Sequence, residues 1–322
     1  MKEDILNILD LHRGDYISGQ DLAEKLEVSR TAIWKMIEKL RDQGYEIEAV
    51  NRKGYRLVGN FDRLTEGGIR KNLRSELKNM KLKIFEEIDS TNTEMKRWLE
   101  EGDVHTFDAI LAEGQTKGRG RSGKTFESPL HTGAYLTLLW YKEGEGDLRD
   151  QDLITIKVSL AVARAVEALT DLKPGIKWVN DVLINHRKFC GILTEADFSL
   201  EDQKISAIYT GIGLNVRTPQ EVFSEEIQNK AGSLNTDVLR NDLVAELLNQ
   251  LYEVKTQGKD QVIAAYKSYS VVLNREISFQ YNGAKKRGLV KDINEEGHLI
   301  VDCGKEVIEL NAGEVSIEGD FY

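Results

Sequence analysis

Apolar positions in the first sixty residues recur every three or four residues and predict three helices. Ser18 and Ser29 carry the short hydroxyl side chain typical of a helix N-cap, and each precedes one of these stripes. The third stripe runs from Ile33 to Leu40, and we expect Gly44 to end that helix because glycine readily adopts the left-handed conformation. The pattern therefore predicts a small helical unit at the N-terminus.

Two short segments with strand character, YEIEAV and GYRLV, follow on either side of a basic turn and predict a hairpin. Three helices and a hairpin resemble a winged helix-turn-helix, which we place at residues 1–60. In this motif the third helix enters the major groove of DNA and the hairpin tip contacts the backbone. The candidate DNA contacts are Ser29, Arg30, Thr31, Trp34 and Lys35 on the helix, with Arg52 and Lys53 on the hairpin. A protein-interaction role, with Trp34 partly in the core, is the alternative.

Residues 65–270 alternate strand patterns with helical ones and predict a mixed α/β domain. Strand character is found in LKIFEEID, AILAEG, GAYLTLLWY, GIKWVNDVLI, CGILTEADF and ISAIYTGIGLNV, while DLITIKVSLAVARAVEALTDL has the length and period of a buried helix. Residues 271–322 are short strands separated by turns, with Asn282-Gly283 a strong hairpin signal, and predict a small β-barrel. The expected fold class is multidomain α+β.

Composition narrows the range of functions. The 322 residues carry a net charge of −10, which argues against indiscriminate nucleic-acid binding and requires any DNA contact to come from a local patch. Cys190 and Cys303 lie far apart, and with only five histidines we expect no structural metal and no disulfide. The N-terminus lacks the features of a signal peptide, and no long apolar run occurs, so we expect a cytoplasmic protein without a membrane partner.

The most informative segment is AEGQTKGRGRSGKTFESP at residues 112–129, where glycines alternate with basic residues. Glycine exposes backbone N–H groups, and the basic side chains add positive charge, so such a loop suits an anion. A solvated basic turn or an RGG-like nucleic-acid segment is the less specific alternative, because a glycine-rich run alone is a weak signal.

GRGR with a following glycine, preceded by Gln115, resembles the ligand-binding loop of biotin–protein ligases. Three further segments resemble motifs of that family in the same order. Ser90-Thr91-Asn92 resembles its STN segment, although this sequence is equally a good helix N-cap. Lys177–Asp181 with Arg187-Lys188 and Gly191–Leu193 resembles its KWPND and RK..GIL elements, and Gly211–Val216 resembles its GIGIN strand. Four matches in a fixed order span about 130 residues, so coincidence is improbable.

The resemblance implies a ligase that activates biotin with MgATP to biotinyl-5′-AMP and then modifies a lysine of a biotin carboxyl carrier protein. It implies a three-part fold whose C-terminal part is an SH3-like β-barrel. Lys188, Arg119 and Arg121 are the implied catalytic residues. The implied biotin contacts are Ser90, Thr91, Asn92, Gln115, Gly118, Arg119, Gly120, Arg121, Lys188 and Gly191. The implied nucleotide contacts are Lys124, Phe126, Asn180, Asp181 and Asn215, with Asp181 the candidate Mg²⁺ ligand.

Joined to the winged helix, these features predict a biotin-responsive repressor that binds operator DNA as a homodimer promoted by biotinyl-5′-AMP. Three positions depart from the family pattern, namely Lys124 for arginine, Phe126 for tryptophan and Val179 for proline. Lysine keeps the charge but loses the bidentate fork of arginine. The alternatives are a biotin-sensing repressor with weak or no ligase activity and a lipoate-type protein ligase, whose RRxxGGGxVxHD signature this chain lacks.

Overall fold

A computed structural model describes residues 1–42, 45–58, 62–145, 153–199, 201 and 203–318 of the chain. The chain divides into two units. The first contains Met1–Asn79 and Val238–Glu246, and the second contains Met80–Asp237 and Leu247–Tyr322. This division does not test the three domain ranges given above, 1–60, 65–270 and 271–322, which stay a prediction. Among the described residues, no helix combines the length and the apolar character needed to cross a membrane.

Helices and strands occupy most of both units. The helices are α1 (Lys2–Leu11), α2 (Gly19–Lys25), α3 (Arg30–Asp42), α4 (Glu66–Lys71), α5 (Thr91–Glu101), α6 (Ile154–Leu169), α7 (Arg240–Thr256) and α8 (Lys259–Tyr269). The strands are β1 (Ile47–Val50), β2 (Gly54–Leu57), β3 (Leu82–Ile88), β4 (Ala109–Gln115), β5 (Gly133–Lys142), β6 (Gly175–Lys177), β7 (Asp181–Ile184), β8 (Arg187–Ser199), β9 (Lys204–Asn215), β10 (Glu276–Tyr281), β11 (Ala284–Ile293), β12 (Leu299–Asp302), β13 (Val307–Leu310) and β14 (Val315–Ile317).

The first unit contains the predicted three helices and hairpin. Ser18 Oγ accepts from the backbone N–H of Asp21 at 3.0 Å, and Ser29 Oγ accepts from that of Ala32 at 3.2 Å, so both N-caps form. The stripe from Ile33 to Leu40 is buried in the core of this unit. β1 and β2 pair in antiparallel register around the basic turn. The predicted helix end at Gly44 lies outside the described residues.

The second unit is built on a seven-stranded sheet in the order β3-β4-β5-β9-β8-β7-β6. β3 and β4 are parallel, and the other neighbours are antiparallel. α5 packs on this sheet through Met95 and Trp98, which join a buried cluster with Ile110, Leu139 and Tyr209. Burial of these side chains fixes the N-terminal end of α5 beside the middle strands of the sheet.

The segment GIKWVNDVLI has the predicted strand character but forms two strands, β6 and β7, paired as a hairpin with a turn at residues 178–180. Two hydrogen bonds to distant backbone hold this turn. The Trp178 indole N–H donates to Gly297 O at 2.9 Å, and Asn180 Nδ2 donates to Ile192 O at 3.0 Å. The turn therefore depends on tertiary contacts, which a local apolar pattern does not reveal. The peptide bond between Trp178 and Val179 is cis.

The C-terminal strands form an antiparallel five-stranded sheet in the order β13-β12-β11-β10-β14. Asn282 and Gly283 connect β10 to β11 with φ values of 51° and 77°, so the predicted hairpin forms with both turn residues left-handed. Inward residues such as Val290 and Val301 are fully buried. The predicted small all-β region is confirmed.

Candidate active site

A cavity in the second unit lies between the N-terminal end of α5, the loop after β4, and strands β8 and β9. Its lining combines hydroxyl, amide and cationic side chains with glycines: Ser90, Thr91, Asn92, Gln115, Arg119, Gly120, Arg121, Phe126, Asn180, Lys188, Gly191, Ile192, Leu193, Gly211, Ile212 and Gly213. The cavity has a volume of about 40 Å³, and a neighbouring cleft of about 480 Å³ shares the wall formed by Arg121, Asn180, Ile192 and Leu193. Segments far apart in the chain thus converge on one site.

The polar end of the cavity is a buried hydrogen-bonded cluster at the start of α5. Ser90, Thr91 and Asn92 are each 3% exposed. The backbone N–H of Thr91 donates to Gln115 Oε1 at 2.9 Å, and Gln115 Nε2 donates to Ser128 Oγ at 2.9 Å. Ser90 occupies the N-cap position, but its side chain makes no capping hydrogen bond. The segment therefore begins the helix, as predicted, while the Ser90 hydroxyl stays available to the cavity.

The cationic loop folds as a narrow hairpin with Arg119 opposite Thr125. Gly120 N donates to Lys124 O at 2.7 Å, and Phe126 N donates to Gly118 O at 3.0 Å. A Cβ at Gly118 would lie 2.3 Å from Phe126 O, so only glycine permits this close approach. The hairpin directs Arg119 and Arg121 to the cavity.

Arg119, Arg121 and Lys124 of the loop each contact a different partner. Arg119 pairs with Glu195 at 3.0 Å, and Arg121 donates to Asn180 Oδ1 at 3.0 Å. Lys124 pairs with Glu314 at 2.7 Å, and this hydrogen bond lowers the pKa of the Glu314 carboxyl below its ordinary value. Lys124 does not line the cavity.

Lys188 enters the cavity from β8 and pairs with Asp181 of β7, with 2.6 Å between Nζ and Oδ1. The pair is partly shielded, with side chains 34% and 24% exposed. Burial raises the pKa of the nearby Cys190 thiol, so this cysteine is not a thiolate nucleophile. Of the two cationic residues on β8, Arg187 and Lys188, it is Lys188 that lines the cavity.

The floor of the cavity is formed by glycines beneath the Phe126 ring. A Cβ at Gly213 would lie 2.4 Å from Phe126 Cε1, and one at Gly191 would lie 2.9 Å from Cε2. The ring also meets Tyr135 edge-on, with 6.4 Å between centroids. Any larger residue at either glycine would push the ring away from the two strands.

Asn215 ends the same strand as Gly213, two residues further on. It is 3% exposed, and its Oδ1 has no hydrogen-bond partner within the part of the chain that the structure describes. A buried acceptor without a donor costs about 1–3 kcal/mol. A ligand N–H at this position would remove that cost, which favours a nitrogen-bearing ligand near the end of β9.

The first unit carries a separate candidate surface. All seven predicted DNA contacts, Ser29, Arg30, Thr31, Trp34, Lys35, Arg52 and Lys53, are exposed. Trp34 is 53% exposed, so it is not a core residue of this unit. A large exposed aromatic side chain beside cations suits contact with a partner rather than internal packing.

Three family models match separate stretches of the chain. An HTH domain matches residues 2–56, the biotin/lipoate A/B protein ligase family matches residues 84–215, and the biotin protein ligase C terminal domain matches residues 272–317. The chain is 28% identical to the bifunctional ligase/repressor BirA of Bacillus spizizenii over 98% of both proteins. It is 27% identical to the protein of the same name from Escherichia coli over 95% of this chain and 94% of that one. The chain belongs to the biotin–protein ligase family.

A solved member of the family has a similar fold. The biotin protein ligase of Aquifex aeolicus, in complex with biotin and ATP, is similar over 74% of this chain and 98% of its own, with 26% identity and a TM-score of 0.61. The predicted order of an N-terminal helix-turn-helix, a central α/β ligase region and a C-terminal β region is confirmed.

The cavity brings together most of the family residues predicted from sequence. Lining it are Ser90, Thr91, Asn92, Gln115, Arg119, Gly120, Arg121, Phe126, Asn180, Lys188 and Gly191. Gly118, Lys124, Asp181 and Asn215 lie outside its lining. Sequence reasoning missed Gly211 and Gly213 as lining residues, although both belong to the segment that resembles the GIGIN strand. It also missed Glu195, which no motif indicated. The roles of these residues stay predictions.

Proposed function

We propose that the chain activates biotin with ATP to form biotinyl-5′-AMP, transfers the biotinyl group to one lysine of a biotin carboxyl carrier protein domain, and represses transcription in response to biotin. The main support for the ligase proposal is that three cations line the same cavity as a buried cluster of amides and hydroxyls. These cations are Arg119, Arg121 and Lys188. Relatives named for both activities match along nearly the whole chain, which confirms the ligase and repressor interpretation of the sequence.

The chemistry requires two anions to approach each other. The biotin carboxylate attacks the α-phosphate of ATP, a P–O bond forms, and pyrophosphate leaves. Positive groups fixed around the reacting oxygens offset the repulsion and the charge that develops in the transition state. We assign Lys188 to the oxygens shared by the carboxylate and the α-phosphate, and Arg119 and Arg121 to closing the loop over them.

The ureido ring of biotin both donates and accepts hydrogen bonds, as do the amides and hydroxyls at the start of α5. We assign Ser90, Thr91, Asn92 and Gln115 to this ring. Thr91 donates to Gln115, and Asn92 accepts from Thr137, so these side chains are held in place before a ligand binds and little ordering cost is left for binding.

Phe126, Asn180, Asn215, Asp181 and Lys124 are assigned to the nucleotide. The Phe126 ring offers an apolar face to the adenine, and the unsatisfied Asn215 Oδ1 offers an acceptor. We assign Mg²⁺ to the substrate as its complex with ATP, and Asp181 is the proposed protein contact. In the second step a carrier lysine attacks the mixed anhydride, the C–O bond to phosphate breaks, and AMP leaves.

Pyrophosphate release tests the adenylation step. The full chain is incubated with MgATP and either biotin or lipoate, and released pyrophosphate is measured. We expect biotin-dependent release and none above background with lipoate. Release driven by lipoate alone would favour a lipoate-type ligase, and no release with either acid would contradict the ligase proposal.

For the repressor role we propose that biotinyl-5′-AMP promotes a homodimer whose two winged helices span a two-fold symmetric operator. The exposed Trp34, Arg52 and Lys53 supply the contacts. One small domain offers few phosphate contacts, and a dimer doubles them at one site. Operator binding and sedimentation are measured in one buffer with and without the adenylate. Equal affinity in both conditions, or a persistent monomer with adenylate bound, would contradict this part.

A further inference from the structure

Glu195 is not part of the cavity lining, yet it contacts two residues that are, Asn92 and Arg119. It stands on β8, two residues after Leu193, and its side chain is 18% exposed. Its Oε2 accepts from Asn92 Nδ2 at 2.7 Å, and its Oε1 accepts from Arg119 at 3.0 Å. One carboxylate therefore links the start of α5 to the cationic loop. We propose that Glu195 is a positioning residue that fixes both Asn92 and Arg119 for biotin, an inference that rests on the proposed function.

The first part of the argument concerns the orientation of the Asn92 amide. A carboxylate can only accept hydrogen bonds, so the Asn92 NH₂ group must face Glu195. Asn92 Oδ1 then faces Thr137 Oγ1, at 2.6 Å. Because the Thr137 hydroxyl can either donate or accept, it is Glu195 that selects one of the two amide orientations. That choice decides whether the edge of Asn92 near the cavity presents an acceptor or a donor to the ligand.

The second part concerns Arg119, which stands on a glycine-rich hairpin and is 46% exposed. Both terminal nitrogens contact the Glu195 carboxylate, at 3.0 Å and 3.3 Å. A two-point contact of this kind restricts a long side chain far more than a single hydrogen bond does. Glu195 thus holds the loop arginine over the cavity, next to the site assigned to biotin.

Asp197 provides a matched control on the same face of the same strand. Its carboxylate contacts Lys96, at 3.5 Å, and accepts from Tyr209 OH, at 3.1 Å. Lys96 lies one helical turn after Asn92 on α5. Like Glu195, Asp197 therefore contacts α5, but its partners Lys96 and Tyr209 lie outside the cavity lining.

The test measures the Kd for biotin, without ATP, in the full chain. We expect Glu195→Gln to weaken biotin binding about tenfold, the effect of losing a hydrogen bond to a charged group. Asp197→Asn should leave the Kd within about twofold of the unmodified chain, because its partners Lys96 and Tyr209 lie outside the cavity lining. Glu195→Asp, which keeps the charge, should retain more affinity than Glu195→Gln.

A double-mutant cycle separates positioning from general destabilisation. In an Arg119→Ala background, Glu195→Gln should cost clearly less affinity, because one of its two contacts is already gone. Equal effects of Glu195→Gln and Asp197→Asn, or effects of Glu195→Gln and Arg119→Ala that simply multiply, would overturn the proposal. If the unmodified chain binds no biotin, the proposed function itself fails, and this outcome is distinct from a failure of Glu195 alone.

Discussion

Replacing Lys188 by alanine should separate catalysis from folding. Lys188 and Asp181 form a partly exposed ion pair, with 2.6 Å between their charged atoms. Pairs of this kind contribute about 0–1 kcal/mol to stability. Loss of one fixed donor at a developing negative charge costs about 2.7–4 kcal/mol of transition-state stabilisation. We therefore expect Lys188→Ala to slow adenylate formation by roughly 10²–10³-fold, while the free energy of unfolding changes by about 1 kcal/mol at most.

Single-turnover formation of biotinyl-5′-AMP measures the first quantity, and urea denaturation measures the second. Lys204→Ala is the control, since Lys204 forms an exposed ion pair with Glu143, at 4.0 Å, away from the cavity. Its rate should stay within about twofold of the unmodified chain. A Lys188→Ala variant that keeps more than about a tenth of the normal rate would refute the assigned role. The assigned role would also be refuted if the free energy of unfolding fell by as much as the activation free energy rose.

Three further predictions follow from the geometry. Gly213→Ala would place a Cβ 2.4 Å from the Phe126 ring. We expect this overpacking to cost about 1–3 kcal/mol and to weaken ATP binding, which is measured by titration. Unchanged ATP binding would contradict the role of Gly213 in the cavity floor. Trp34→Ala should weaken operator binding in a gel-shift assay while biotin ligation continues, and equal loss of both would argue against a DNA contact. Trypsin should cut the loop between Lys117 and Lys124 more slowly with biotinyl-5′-AMP bound, and equal rates would exclude ordering of the loop by ligand.

The winged helix could be predicted because its signals are local. Ser18 and Ser29 cap helices through a backbone N–H three residues away, and the apolar stripes lie within single helices. The β6–β7 hairpin could not be predicted in the same way. Its turn is held by Gly297 and Ile192, which are 119 and 12 residues distant from Trp178 and Asn180.

The candidate site shows the same limit. Most of the cavity lining could be predicted, because it comes from segments that resemble family motifs. Each of these motifs places its functional side chains within a few consecutive residues. Glu195 was missed because its partners, Asn92 and Arg119, are 103 and 76 residues away, and an acidic residue on a strand is an ordinary feature. Only the pairing of β8 with β9 beside α5 makes its position informative.

Transfer of biotin to a carrier domain tests the central claim most directly. The full chain is incubated with labelled biotin, MgATP and a biotin carboxyl carrier protein domain, beside a carrier variant whose acceptor lysine is arginine. We predict label on the normal carrier, none on the arginine variant, and little with the Lys188→Ala chain. A chain that binds biotin and operator DNA but leaves every carrier unlabelled would contradict the account, and would instead be a biotin-sensing repressor without ligase activity.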